Sequence, residues 1–217
     1  MEMTGAQILM ETLLEQGTAL TEARKAAAQR LQREISSELM QLDMPKIRFV
    51  CEFTPQEAAE TGLDRVRFLM SANVGEALKP LSKVASGGEL ARIMLAMKQV
   101  LAQQDGVPTL IFDEVDAGVS GRAAQKVALK LWAVSKGRQV LCVTHLPQIA
   151  AMADAEFTVE KRVEHERTYT SVLHLDDAGR RHELARLIGG SMITETTLAG
   201  AAELLRLADE AKKGDIT

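Results

Sequence analysis

The sequence predicts an α/β protein in which a mostly parallel sheet carries helices on both faces and a long helical segment precedes it. Three observations predict this. Two short apolar runs, 107–112 and 139–143, are separated by a helix-period stretch at 121–136. Both runs lack alternation, as strands of a doubly covered parallel sheet do. Ahead of them, small and apolar residues recur at steps of three and four from Leu20 to Leu42.

The helical segment is residues 1–44, read as one domain, with 45–217 as the other. Helix is expected almost throughout 4–43. Thr4 and Gln7 fit a capping box. Gly17 is expected to interrupt the helix, and Thr18 to cap a second segment. The stripe is Leu20, Ala23, Ala27, Leu31, Ile35, Leu39 and Leu42, flanked by Glu22, Arg24, Lys25, Arg30, Arg33 and Glu34. Such a stripe serves an amphipathic helix on a core, or the returning end of a longer coiled coil. Pro45 ends it.

Two alternating strands follow, one through Ile47, Phe49, Cys51 and Phe53, the other through Val66, Phe68 and Met70. Thr54-Pro55-Gln56-Glu57 between them has the form of a helix start, and Gly62 marks a turn. A Gly- and Pro-punctuated stretch, 73–80, leads to a periodic helix over 87–104 and then to the first buried strand. The helix at 121–136 closes on Gly137, a C-terminal cap. After the second buried strand, 156–163 and 168–175 form a hairpin around 164–167. Helices near 180–188 and 195–213 finish the chain, each followed by glycine.

The bulk numbers narrow the function. The chain has 217 residues, 46% hydrophobic and 26% charged, which is a globular composition. Only 3% are aromatic, so the core must be aliphatic, with ten Met contributing. A net charge of −4 argues against a surface that wraps nucleic acid, though it leaves room for a local basic patch. Arg162, Arg167, Arg180, Arg181 and Arg186 are candidates for one, with a solvated surface as the plainer reading. Cys51 and Cys142 each lie in an apolar stretch and are expected to be buried, reduced thiols of a cytosolic protein. No apolar run approaches the roughly 20 residues of a membrane span. Met1–Met10 lacks the pattern of a secretion signal. His165, His174 and His182 share no metal-ligand spacing.

Three short segments carry chemistry. The first strand ends in Asp113 and Glu114. Ligands of open α/β sheets bind at the C-terminal ends of strands. An Asp there can hold magnesium, and a Glu beside it can deprotonate an attacking water. Ser86-Gly87-Gly88-Glu89 reads as a capping box whose two glycines leave a helix N-terminus open to an anion. The second strand runs out at Thr144, with His145 just beyond, where a histidine can hydrogen-bond a phosphate oxygen.

Taken in order, these segments resemble the second half of an ABC ATPase head. Ser86-Gly87-Gly88-Glu89 resembles the ABC signature, and Leu110–Glu114 resembles a Walker B motif with its catalytic glutamate. Val115-Asp116-Ala117-Gly118-Val119-Ser120-Gly121 is similar to a D-loop, and Thr144-His145 to an H-loop. No Gly-x-x-x-x-Gly-Lys-Ser/Thr occurs, so the phosphate cradle is expected from another segment. Lys83–Leu90, Ile111–Asp116, Val143–Gln148 and Glu183–Gly190 narrow the resemblance to the RecN family of SMC-like proteins, from about residue 42 to about 205.

That resemblance implies a C-terminal lobe of an ABC-type ATPase head, with residues 1–44 the returning end of a coiled coil. It implies an ATP hydrolase of bacterial double-strand break repair, inactive without the Walker A-bearing N-terminal half of the same head. ATP and magnesium are the implied cofactors. A second head, joined through an ATP sandwich, and DNA are the implied partners, with no membrane and with a cytoplasmic, nucleoid-associated location. Residue by residue, Ser86, Gly87, Gly88 and Glu89 would meet ATP held by the opposite head. Asp113 would hold magnesium, Glu114 would polarise water, and His145 would touch the γ-phosphate. Asp116 would signal across the head interface. A transporter-type nucleotide-binding half is the alternative within the same fold. A non-enzymatic module of ABC shape is the alternative outside it, disfavoured by the joint presence of Ser86, Glu114 and His145.

Overall fold

The computed structural model describes residues 4–71, 73, 75–83, 87–102, 104–164 and 167–214. The chain divides into two compact units, Met1–Ser86 with Ala96–Gln103, and Gly87–Leu95 with Gln104–Thr217.

In the first unit, helix α1 (Gly5–Gln41) precedes an antiparallel sheet of β1 (Arg48–Ala59), β2 (Gly62–Ser71) and the two-residue β3 (Lys79–Pro80), in that order. The capping box of Thr4 and Gln7 forms. Gly17 does not break the helix. It lies against Leu63, where a Cβ would come within 2.6 Å of the leucine side chain. The glycine therefore serves close packing, and the approach to the hairpin offsets its poor helix propensity. Thr18 caps nothing, because its hydroxyl donates to the carbonyl of Leu14. The buried face of α1 includes Ala28, Ile35 and Leu39. Upstream it is turned by one residue from the expected stripe. Leu20, Ala23 and Ala27 are exposed, while Thr21, Arg24 and Ala28 face inward. The reason is polar: Thr21 and Arg24 both donate to the buried carboxylate of Asp64 on β2. The expected helix start at Thr54–Glu57 is instead part of β1, which pairs with β2 through Pro55 opposite Asp64. β1 is an edge strand, where a proline lacking its N–H is tolerated.

In the second unit, the start of α2 (Gly87–Val100) is followed by β4 (Thr109–Phe112), α3 (Gly121–Ser135) and β5 (Gln139–Cys142). β4 and β5 pair in parallel, Phe112 opposite Cys142. The short α4 (Pro147–Ala151), unforeseen in the sequence, starts on a proline at its first position, where the missing N–H costs nothing. The expected hairpin forms from β6 (Phe157–Glu164) and β7 (Arg167–His174), with Glu164 opposite Arg167. Helices α5 (Asp177–Gly189) and α6 (Glu195–Lys213) close the chain. Leu184 and Ala185 of α5 pack with Ala201 and Ala208 of α6 and with Ala150 and Ala151 of α4.

The expectation of a sheet covered on both faces is not met within the described residues. Leu110 and Phe112 are buried, but Ile111 is 70% exposed, and Leu141 and Val143 are also exposed. Side chains of a strand alternate between faces, so one face of this two-stranded sheet is apolar and bare. Both cysteines are free; Cys51 is buried and Cys142 half-buried. Burial, with smaller contributions from Asp116 and Asp113, pushes the Cys142 thiol up to about 12. Among the described residues no helix is long and apolar enough to cross a membrane.

Candidate functional site

All described candidate residues belong to the second unit, at the C-terminal ends of β4 and β5 and the N-terminus of α2. Parallel pairing in register places residues 113 and 143 at the same level, and the Val143 N–H donates to the Phe112 carbonyl at 2.9 Å. Asp113 and Glu114 therefore leave β4 beside the point where Thr144 and His145 leave β5.

The chain turns sharply after β4. The Asp113 side chain accepts the Glu114 N–H at 2.9 Å. Glu114 has φ 57, a left-handed conformation that a residue with a side chain enters at a cost. The Ala117 N–H then closes the turn on the Glu114 carbonyl at 3.0 Å. This geometry keeps both carboxylates exposed while sending Val115 and Asp116 into the interior.

Asp116 is 3% exposed, and its Oδ2 gathers the end of β5. It accepts the Thr144 hydroxyl at 2.6 Å and the His145 N–H at 2.9 Å, and it lies 3.0 Å from His145 Nδ1. The Thr144 hydroxyl in turn accepts the Leu146 N–H at 3.1 Å. The His145 ring is 73% exposed beyond this anchor. A carboxylate beside Nδ1 fixes the ring's orientation and leaves Nε2 on the far side of the ring. The Asp116 carboxylate is turned into its own unit, where it holds His145.

The glycines of α2 make this turn possible. A Cβ on Gly87 would lie 2.0 Å from Glu114 Oε2, so the Glu114 carboxylate rests over the start of α2. A Cβ on Gly88 would meet the Ala117 and Glu114 carbonyl oxygens at 2.9 and 3.0 Å. Glu89 lies in the first turn of α2, where its charge complements the helix dipole. Ser86, and with it the Ser86–Glu89 capping box, lies outside the described residues.

Sequence reasoning passed over Arg92. Its guanidinium is buried, and Nη1 donates to the Ala117 carbonyl at 2.6 Å and the Val115 carbonyl at 3.3 Å. Burial lowers its pKa from the usual arginine value, opposed by the charges of Glu89 and Asp116. In α2 it lies beside the buried Ile93, Ala96 and Met97.

Three of the five candidate arginines are paired with carboxylates. Arg180 is tied to Glu156 and to the Ala153 carbonyl, and Arg186 to Glu183. Arg162 pairs with Glu160. The His174 ring packs 5.0 Å from Phe157, and His165 lies outside the described residues. No group of three or more potential metal ligands occurs among the described residues.

The fold places the chain in a structural class shared with Smc head domains. Two solved structures share the fold. One is an Smc head domain with a coiled coil and joint from Pyrococcus yayanosii, with TM-score 0.55 and 19% identity, covering 94% of this chain and 33% of that one. The other is an Smc head domain with an extended coiled coil, bound to the C-terminal domain of ScpA, from Pyrococcus furiosus. Its TM-score is 0.51 at 21% identity, covering 83% of this chain and 43% of that one.

Within that class the chain is similar to RecN proteins over about nine-tenths of its length. It is 46% identical over 209 residues to the DNA repair protein RecN of Bacillus subtilis, an alignment covering 89% of this chain. It is 43% identical over 216 residues to that of Treponema pallidum, covering 96% of this chain, and 44% over 200 residues to that of Vibrio cholerae, covering 91%. The chain spans 36 to 38% of the length of these relatives. No protein-family model matches it.

Proposed function

We propose that this chain is the signature-bearing part of an ATP-hydrolysing head that acts in DNA repair. One observation carries the reading. Glu114, Asp116, Thr144 and His145 converge at the ends of two parallel strands beside a glycine-opened helix N-terminus.

In this reading Glu114 accepts the proton of the attacking water, and its exposed carboxylate is free to approach substrate. The His145 ring, held with its Nδ1 3.0 Å from Asp116 Oδ2, presents Nε2 to the γ-phosphate of ATP. Asp116 contributes by holding that ring. The N-terminus of α2, with Ser86, Gly87 and Gly88, receives the γ-phosphate of ATP bound to an opposing head. Asp113 is an exposed carboxylate with one oxygen engaged by the Glu114 N–H. That suits magnesium, which is commonly held by one or two carboxylates, waters and phosphates. When bound, the ion offsets the charge of the phosphates.

The phosphate-binding loop would come from the N-terminal half of the head. Two heads would pair around two ATP molecules and separate on hydrolysis. Residues 1–44 would be the returning end of a coiled coil. The exposed Ile8, Leu9, Met10, Leu13 and Leu14 near the start of α1 suit a paired helix better than a solvated one. The same apolar face distinguishes this reading from a transporter subunit. DNA would be the macromolecule on which the assembly acts.

The test is ATP-dependent pairing. The chain is combined with the Walker A-bearing half, carrying Glu114→Gln to block turnover. ATP with magnesium should double the mass by light scattering, and ADP should not. A mass unchanged by ATP contradicts the sandwich.

A further inference from the structure

We propose that Arg92 is a positioning residue that fixes the Glu114–Ala117 turn to the first turns of α2 and so sets His145. The proposal deepens the hydrolase reading above and rests on it.

Arg92 lies where burial should exclude an arginine. A charged side chain with 7% exposure must be compensated. No carboxylate pairs directly with it among the described residues. The compensation comes from two main-chain carbonyls, those of Val115 and Ala117, both on one Nη. They flank Asp116, the residue that grips Thr144 and His145. Nε of Arg92 is buried with no hydrogen-bond partner, an unmet polar atom in the interior. A core position needing only volume would be better served by leucine or methionine. The guanidinium is retained where it reaches backbone oxygens that no aliphatic side chain can hold.

The glycines point the same way. Gly88 lets the Glu114 and Ala117 carbonyls approach α2 within a Cβ radius. Arg92, one helical turn on, binds the Ala117 carbonyl from the same helix. Residues 88 and 92 thus hold the turn at two points. Contacts then run from α2 by hydrogen bonds to the Val115 and Ala117 carbonyls, through the covalent backbone to Asp116, and on by its hydrogen bond from the His145 N–H and its 3.0 Å approach to the His145 ring. A displacement at the N-terminus of α2, where ligand is expected, is passed to His145 through rigid contacts rather than through solvent. Glu114, whose left-handed backbone depends on the same turn, is held with it.

The experiment uses the complex of this chain with the Walker A-bearing half. Arg92→Met keeps volume and removes the donors; Arg92→Lys keeps a charge and one donor. Folded fraction is measured for each by circular dichroism, and rates are expressed per folded complex. For Arg92→Met, kcat should fall on the order of tenfold or more, because small misplacements of reacting groups carry such losses. KM for ATP should stay within about twofold, the mark of a group acting only in the chemical step. Arg92→Lys should recover part of kcat. If Arg92→Met does not fold, a lowered kcat at unchanged KM in Arg92→Lys supports the proposal. A kcat per folded complex equal to that of the unsubstituted protein overturns it, as does a KM that rises in step with any loss. If the unsubstituted complex itself fails to hydrolyse ATP, the hydrolase reading falls, and this proposal with it.

Discussion

Asp116 holds His145 at two points, through Oδ2 to the backbone N–H at 2.9 Å and to ring Nδ1 at 3.0 Å. Replacing it with alanine leaves the Thr144 hydroxyl and the His145 N–H without their acceptor. Hydrogen bonds to a charged group contribute about 2 kcal/mol each, so stability should fall by about that amount or more. Denaturant unfolding of the chain measures it. In the assembled head, kcat should fall with the ring unanchored while ATP still binds.

Gly87→Ala and Gly88→Ala should differ in kind. At Gly87 the obstacle is the end of the Glu114 side chain, which can swing aside. Folding should survive, and hydrolysis should fall because Glu114 is moved. At Gly88 the obstacles are the Ala117 Cβ and two carbonyl oxygens of the turn, which cannot move without breaking it. Strain of this sort costs about 1–3 kcal/mol. Thermal unfolding of the two variants separates the cases.

Gly189 and Gly190 form the corner between α5 and α6. A Cβ on Gly189 would lie 2.7 Å from Thr197 Cγ2, and Gly190 has φ 72 with ψ −139, a region that residues with side chains avoid. Gly190→Ala should destabilise the chain by about 1–3 kcal/mol with no specific effect on catalysis. A normal unfolding midpoint would contradict this. These glycines lie in a segment that carries the family resemblance; Gly189 serves close packing and Gly190 the backbone turn.

Two carboxylates near α5 give opposite pH dependences. Burial raises the Glu156 pKa, only partly opposed by Arg180, so the folded chain binds a proton there more tightly than the unfolded one. Its contribution to stability therefore falls as pH rises above the ordinary glutamate value of about 4.3. The hydrogen bond from Arg186 lowers the Glu183 pKa, so its contribution is present above that value and is lost as pH falls through the folded pKa. Glu156→Gln should remove the first slope and Glu183→Gln the second, read from unfolding midpoints across the acid range.

The elements legible in the sequence were those with a strong local signal. The parallel pair β4 and β5, the hairpin of β6 and β7, and helices α3, α5 and α6 follow from apolar runs, turn residues and caps. What sequence could not supply was set by tertiary contact. Gly17 reads as a breaker until Leu63 is seen against it, and the face of α1 follows Asp64, forty residues away from Arg24. Thr54-Pro55 reads as a helix start because local capping signals say nothing of a pairing partner at Asp64. In the site, the carboxylates and His145 were legible as types at strand ends. The inward turn of Asp116 and the role of Arg92 were not, because both depend on main-chain atoms brought together by folding.

The most direct test of the account is ATP hydrolysis by this chain, alone and mixed with the Walker A-bearing half, for the unsubstituted chain and for Glu114→Gln. Activity confined to the mixture and abolished by the substitution is the predicted result. Hydrolysis by the chain alone, or a mixture whose rate is unchanged by Glu114→Gln, would contradict it.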